Sequence, residues 1–292
     1  MIPRPIDLHH QGVERSIGVY LLETRDGPAL FDCGPSTALD GLKRGLRDHG
    51  LELTDVRHLL LSHIHLDHAG AAGVLVREHP GLRVHVSEVG APHLVEPSRL
   101  EASSRRLYGE SFDALWGELA PVPERNVEVV GNDVLGLECF PTPGHAYHHV
   151  CYLDDEGTLY AGDVCGVRIL PERLVVPPVP PPEIDVEAWD AALDEIARRE
   201  PGRLALIHFG VVEDDIPDHL DRLRARLHAW EELVERGLSE QEFDDAMRAD
   251  IEDELGRSAD AYLAAAPPGA YQGLKRWVEK TRPNRSPASD VA

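Results

Sequence analysis

A chain of 292 residues, 42% hydrophobic and 28% charged, has the balance of a folded globular protein, and its length suits one large core with an appended helical segment. Its net charge of −23 repels polyanions, which argues against nucleic acid or an anionic membrane as partner and favours a small-molecule substrate. The start, Met-Ile-Pro-Arg-Pro-Ile-Asp, lacks the apolar stretch of an export signal, and no run of eighteen apolar residues follows, so a cytoplasmic chain is expected.

In chain order, residues 17–32 are two β-rich runs split by Arg25-Asp26-Gly27 and read as a hairpin. Leu39, Leu42 and Leu46 mark one face of a helix that stops at Gly50, and a buried strand follows at 56–61. A small-residue helix near 69–78, a strand near 82–86 and a mostly helical stretch at 88–120 come next. From 127 to 163 short apolar runs alternate with turn signals, the pattern of a meander. Residues 177–182 hold five prolines in six positions and must be extended. A helix at 186–199 and a strand at 203–207 complete the mixed region. Beyond Asp215 the chain reads as helical: Ile216, Leu220, Leu223, Leu227, Trp230 and Leu233 form one apolar stripe. Ser239 with Glu242 makes a capping box and Leu238 with Phe243 a hydrophobic staple, so a second helix starts there. A last helix carries Tyr271, Leu274 and Val278, and the tail from Pro283 is expected to fray. Four irregularly spaced cysteines, Cys33, Cys139, Cys151 and Cys165, are expected to remain thiols.

The strand at 56–61 runs directly into His63-Ile-His65-Leu-Asp67-His68. A strand sends residues two apart to one side, so His63 and His65 can converge on one ion while the turning chain presents Asp67 and His68 to a neighbouring point. Further donors lie where later apolar runs end: His145 in Thr-Pro-Gly-His, Asp163 in Tyr-Ala-Gly-Asp and His208 in Leu-Ile-His-Phe-Gly. Loops at strand ends are where a rigid sheet can place ligands accurately.

These motifs resemble the metallo-β-lactamase superfamily, including its glyoxalase II-like members. The family's H-x-H-x-D-H pattern stands intact at 63–68, and its later histidine, bridging aspartate and final histidine match His145, Asp163 and His208. The Phe31-Asp32-Cys33-Gly34 turn is similar to the family's first motif, where the aspartate supports the metal loop from behind. The resemblance implies an α+β fold, a four-layer αββα sandwich over residues 1–212, with 213–292 as a C-terminal helical extension. It also implies that His63, His65 and His145 hold one metal and Asp67, His68 and His208 a second, with Asp163 bridging. Nitrogen and oxygen donors suit two zinc ions, and Mn or Fe is compatible with the same set. A metal brings bound water to a pKa of about 7, so a metal-bridging hydroxide is the expected nucleophile, with Asp67 orienting it.

Departures narrow the reaction. His65 stands where related flavodiiron redox enzymes carry glutamate, and Asp163 where the best-known class of β-lactamases carries cysteine, which argues against redox chemistry and antibiotic hydrolysis. A metal-dependent hydrolase of a small ester, thioester, lactone or phosphoester is the leading reading. A nuclease or phosphodiesterase of the same fold, disfavoured by the charge, and a metal-binding protein without turnover are the alternatives. Tyr108, Phe112, Leu115 and Trp116 share one expected helical face that is either ordinary packing or a substrate wall. Arg99, Arg105 and Arg106 are a tight basic group, either a solvated face or a seat for an anionic substrate end. His9, His10, Tyr147, His148 and His149 border the site without an assigned role, and Cys165 is expected to be a packed thiol. The C-terminal helices lack a Lys and Arg cluster for glutathione and either pack on the sandwich or form a homodimer contact.

Overall fold

The hairpin at 17–32 lies within a six-stranded sheet in the computed structural model, which describes residues 3–256, 259, 262 and 269–281. β1 (Ile6–Asp7) pairs with β2 (Gly18–Thr24), and β2 with β3 (Gly27–Phe31), both antiparallel. The sheet then grows by parallel strands, which require crossover connections. α1 (Leu39–Asp48) leads to β4 (His58–Leu60); α2 (Leu66–Ala69) and α3 (Ala72–Glu78) lead to β5 (Arg83–Val86). α4 (Ala91–Val95), α5 (Ser98–Tyr108) and α6 (Phe112–Leu115) lead to β6 (Val127–Val129).

The second sheet begins with an antiparallel meander, β7 (Asp133–Val134), β8 (Leu137–Pro141), β9 (Val150–Leu153) and β10 (Thr158–Gly162). α7 (Val186–Arg198) carries the chain across to β11 (Arg203–Leu206), parallel to β10, and β12 (Gly210–Val212) closes that edge.

Alternation along the strands produces the layers. Tyr152 and Tyr160 point toward the first sheet, where Phe31 meets their rings at 5.9 and 5.5 Å. Their neighbours Cys151, Leu159 and Ala161 point the other way, into a second apolar cluster with α7 and the later helices. Those helices are α8 (Ile216–Glu235), α9 (Glu240–Leu255) and α10 (Ala270–Thr281). Leu223, Leu227, Trp230, Leu274 and Trp277 all belong to that cluster. The result is an αββα sandwich with C-terminal helices packed on its second sheet. Among the described residues no helix is long and apolar enough to cross a membrane.

Several local expectations change. The run at 127–129 is not part of the meander: β6 joins β5, and Val130 N–H continues that pairing to Val86 O at 3.0 Å. Apolar alternation marks a strand but not its partner. The helix expected at 69–78 begins earlier and is split into α2 and α3, with its first turn formed by the ligand loop itself. The single face of Tyr108, Phe112, Leu115 and Trp116 is interrupted at Gly109, whose φ of 54° ends α5. On α8 it is Val234, not Leu233, that is buried, and Glu231 is buried beside it, accepting a hydrogen bond from Trp277 Nε1 at 2.6 Å. The capping box forms as read, with Ser239 and Glu242 each accepting from the other's backbone N–H. All four cysteines are free and buried. The tail from Pro283 lies outside the described residues.

Trp189 joins fold to site: it is fully buried, donates from Nε1 to Val164 O at 2.7 Å, and stands edge-on to the His145 ring at 5.7 Å. Trp189→Phe leaves a gap and an unpaired buried carbonyl, so it should cost about 2–3 kcal/mol. Urea unfolding checks this, and an unchanged midpoint would contradict the role assigned to the indole.

Candidate metal centre

Asp32 follows β3 in a left-handed conformation, with φ of 58°, and is completely buried. Its Oδ1 accepts from Ser62 N–H at 2.8 Å, and its Oδ2 accepts from Ser62 Oγ at 2.7 Å and lies 2.7 Å from His68 Nδ1. One carboxylate therefore ties the end of β3 to both ends of the loop after β4. Ser62 gives its proton to Asp32, so its Oγ is left to accept from His63 Nδ1 at 2.9 Å. His145 Nδ1 donates to Pro178 O at 2.7 Å, and His208 Nδ1 donates to Ser16 O at 2.6 Å. In each case a partner on one ring nitrogen leaves the other free to face inward.

Two glycines let the later strands approach this loop. Gly144, with φ of 139°, precedes His145, and a Cβ there would lie 2.4 Å from Trp189 Cα. Gly162, with φ of 53°, precedes Asp163, and a Cβ there would lie 2.6 Å from both His149 Nε2 and Ser62 Cβ.

The structure brings all seven sequence-predicted donors together. His63, His65, His145 and Asp163 form one group, and Asp67, His68, Asp163 and His208 another; within each, the donor atoms lie within 4.8 Å of one another. Asp163 belongs to both. Its Oδ2 faces His145 Nε2 at 3.3 Å and its Oδ1 faces His68 Nε2 at 3.1 Å.

The donor chemistry fits metal ions. His63 Nε2 and His145 Nε2 both carry lone pairs, yet both face His65 Nδ1, at 2.9 and 2.8 Å. A single ring nitrogen supplies at most one proton, so three nitrogens converge where a cation is needed. In the other group His68 Nε2 and Asp163 Oδ1 are buried without a hydrogen-bond partner despite their proximity, as expected of two donors aimed at a third point.

Burial, and then the neighbouring histidines, push the pKa of His63 well below its usual value and that of His65 down to about 3. Burial also lowers that of His145. These rings are neutral, the form that binds metal. At His68 burial opposes the charge, but Asp163, Asp67 and Asp32 outweigh it and raise the pKa well above the usual value. His208 is raised in the same way, against burial, by Asp163 and Asp67. The carboxylates thus favour positive charge at these two positions, the charge that a dication would supply there.

Of the residues left without a role, His149 faces inward: Thr142 Oγ1 lies 2.7 Å from its Nδ1, and its Nε2 accepts from Asp163 N–H at 3.1 Å. It locks the Asp163 turn. His148 lines the cavity and stands 3.2 Å from Glu183 Oε2, while its Nδ1 accepts from Ile64 N–H at 3.4 Å. His10 stacks on Trp116 at 5.5 Å, His9 is exposed, and Tyr147 accepts from Lys280 Nζ at 3.0 Å; none of the three lines the cavity. Cys165 is a buried thiol whose pKa burial pushes up. Sequence reasoning missed Glu183, which follows the proline run without a motif, and the carbonyls of Ser16 and Pro178, which have no side-chain signal at all.

The site opens into a cavity of about 440 Å³. α5 forms one wall and the proline run another, while His65, Asp67 and His208 reach into it.

A family model of the metallo-beta-lactamase superfamily matches residues 13–208. The chain belongs to that superfamily. Among its superfamily relatives is the metallo-beta-lactamase fold-containing protein ST1585 of Sulfurisphaera tokodaii, 26% identical over 196 residues, 64% of this chain and 73% of the relative. The N-acyl homoserine lactonase AiiA of Bacillus thuringiensis subsp. kurstaki is 28% identical over 44% of this chain and 54% of its own length. The thioesterase pkgB of Emericella nidulans is 28% identical over 49% and 34%. The chain therefore spans about half or less of the latter two. A metallo-beta-lactamase family protein from Thermus thermophilus, TTHA1429, superposes with a TM-score of 0.66 at 24% identity, covering 97% of this chain and 92% of that one, and shows the shared fold.

Glu183 supplies a pH test in this superfamily site. Burial raises its pKa, but His148, with Nε2 at 3.2 Å, prevails and brings it down to about 2. A carboxyl depressed in the folded state adds stability above its unfolded pKa of about 4.3, and that stability is lost as pH falls toward 2. The urea midpoint of the wild type should therefore exceed that of Glu183→Gln at pH 6, and the difference should shrink on acidification. A difference independent of pH would contradict the pairing.

Proposed function

We infer that the chain is a dinuclear metallo-hydrolase, with zinc as the favoured metal, that cleaves a small ester, thioester, lactone or phosphoester. The observation that carries this reading is the pair of donor groups sharing Asp163 at the floor of the cavity. His63, His65 and His145 would hold one ion, Asp67, His68 and His208 the other, with Asp163 between them. When bound, such ions supply Lewis acidity toward the scissile bond and make a water nucleophilic near neutral pH.

The chain's own residues do the rest. Asp67 is half-buried at the cavity floor; burial opposes its charge, but His68 and His208 hold its pKa well below the carboxylate range. Its ionised carboxylate can accept a hydrogen bond from the attacking water and so orient it. Tyr108 faces the same cavity, and burial, then the charge of Asp67, push its pKa well above the usual value. It remains an O–H donor for a substrate carbonyl. The lactonase and thioesterase among the relatives support carbonyl substrates, and a charge of −23 disfavours nucleic acid.

A panel of acyl thioesters, lactones, aryl esters and phosphodiesters tests the reading. Zinc-loaded protein should turn over at least one carbonyl substrate, and metal depletion or Asp67→Asn should lower kcat/KM by about 100-fold or more, the scale of a lost acid–base or positioning group. Turnover that survives both changes, or none on any substrate, would overturn it.

A further inference from the structure

The basic group on α5 divides in two. Arg105 points outward, where it donates to Glu101 at 2.9 Å and Asp113 at 2.8 Å and lies over the Phe112 ring. Arg99 and Arg106 both line the cavity, and among the described residues neither has a carboxylate at ion-pair distance. They are seven residues apart, two helical turns or about 10 Å along the axis, so they fall on the same face of the helix. Ser103 stands between them on that face, and Leu100 and Leu107 form an apolar strip beside it that also lines the cavity.

Both arginines are exposed, so they stand at the rim of the cavity, and two guanidinium groups without a carboxylate partner among the described residues favour an anion there in a chain of charge −23. The remaining carboxylate that lines the cavity outside the donor groups, Glu183 at the end of the proline run, stands 3.2 Å from His148 Nε2. Pro178, Pro180, Pro181 and Pro182 add apolar surface to the same cavity.

We propose that Arg99 and Arg106 form an anion subsite that selects substrates with a carboxylate or phosphate on the non-reacting end, joined to the scissile bond by an apolar spacer. This subsite rests on the hydrolase reading only for the identity of the bond that is cleaved. An arginine fork matches either oxyanion, and the spacer would lie between the leucine strip and the prolines.

The test has a kinetic and a binding arm. Aryl esters of matched length ending in a methyl group, a carboxylate or a phosphate are compared on zinc-loaded protein. The better anionic ester should exceed the methyl ester in kcat/KM by about tenfold or more, the size of one good charge-assisted contact. Arg99→Gln plus Arg106→Gln should bring that ratio to about 1, while Arg105→Gln, outside the cavity, should leave it in place. The carboxylate and phosphate arms decide which anion is preferred. Binding is read with anilinonaphthalene sulfonate against neutral N-phenylnaphthylamine, and the double variant should weaken only the anionic probe. Probe discrimination that the double variant abolishes, without ester turnover, would keep the subsite and remove aryl esters from the hydrolase reading. Equal handling of charged and neutral compounds by the wild type, or a preference that survives the double substitution, would overturn the subsite.

Discussion

Buried negative charge is the constraint on which this structure turns. Asp32 and Asp163 are nearly inaccessible and Asp67 is half-buried, all within one loop cluster. An isolated carboxylate in such surroundings is costly and persists only when paired or bound to a cation. Asp32 is matched by Ser62 and His68, but Asp163 faces His63, His145, His68 and His208 without a bond that satisfies its Oδ1. Its neighbours divide into neutral rings on one side and proton-binding rings on the other, an asymmetry that two divalent ions would remove.

The fold is organised to hold that cluster in place. Both sheets send the carboxyl ends of strands to the same edge: β3 supplies Asp32, β4 the His63–His68 loop, β10 Asp163 and β11 His208. Trp189 and Gly144 set the approach of His145, and Ser62, Gly162 and His149 set that of Asp163. Rigid packing behind a site fixes donor atoms more closely than a loop can alone. The C-terminal helices add their apolar faces to the outer layer of the second sheet, which in turn steadies β10 and β11.

Much of this was legible in the sequence because the donors are residue types with strong chemistry at short spacings. His63, His65, Asp67 and His68 needed only six positions, and His145, Asp163 and His208 each ended an apolar run. The capping box at Ser239 and Glu242 is equally local. Pairing was not local: nothing in the apolar run at 127–129 says that it completes a parallel sheet rather than the meander beside it. The role of α5 was hidden for a related reason. Arg99, Arg105 and Arg106 are alike in sequence, and only the placement of Asp113 and the cavity separates the arginine that is paired from the two without a carboxylate partner among the described residues. Backbone carbonyls that orient His145 and His208 carry no residue signature.

Function then follows from placing a reactive cluster at the floor of a cavity whose walls combine apolar residues with a few charged ones. The account depends most on two metal positions sharing Asp163. Diffraction data collected at the zinc absorption edge from zinc-supplemented crystals test this directly. Two anomalous peaks are predicted, one among His63, His65 and His145 and one among Asp67, His68 and His208, with Asp163 between them. A single peak, no peak, or peaks away from these residues would contradict it.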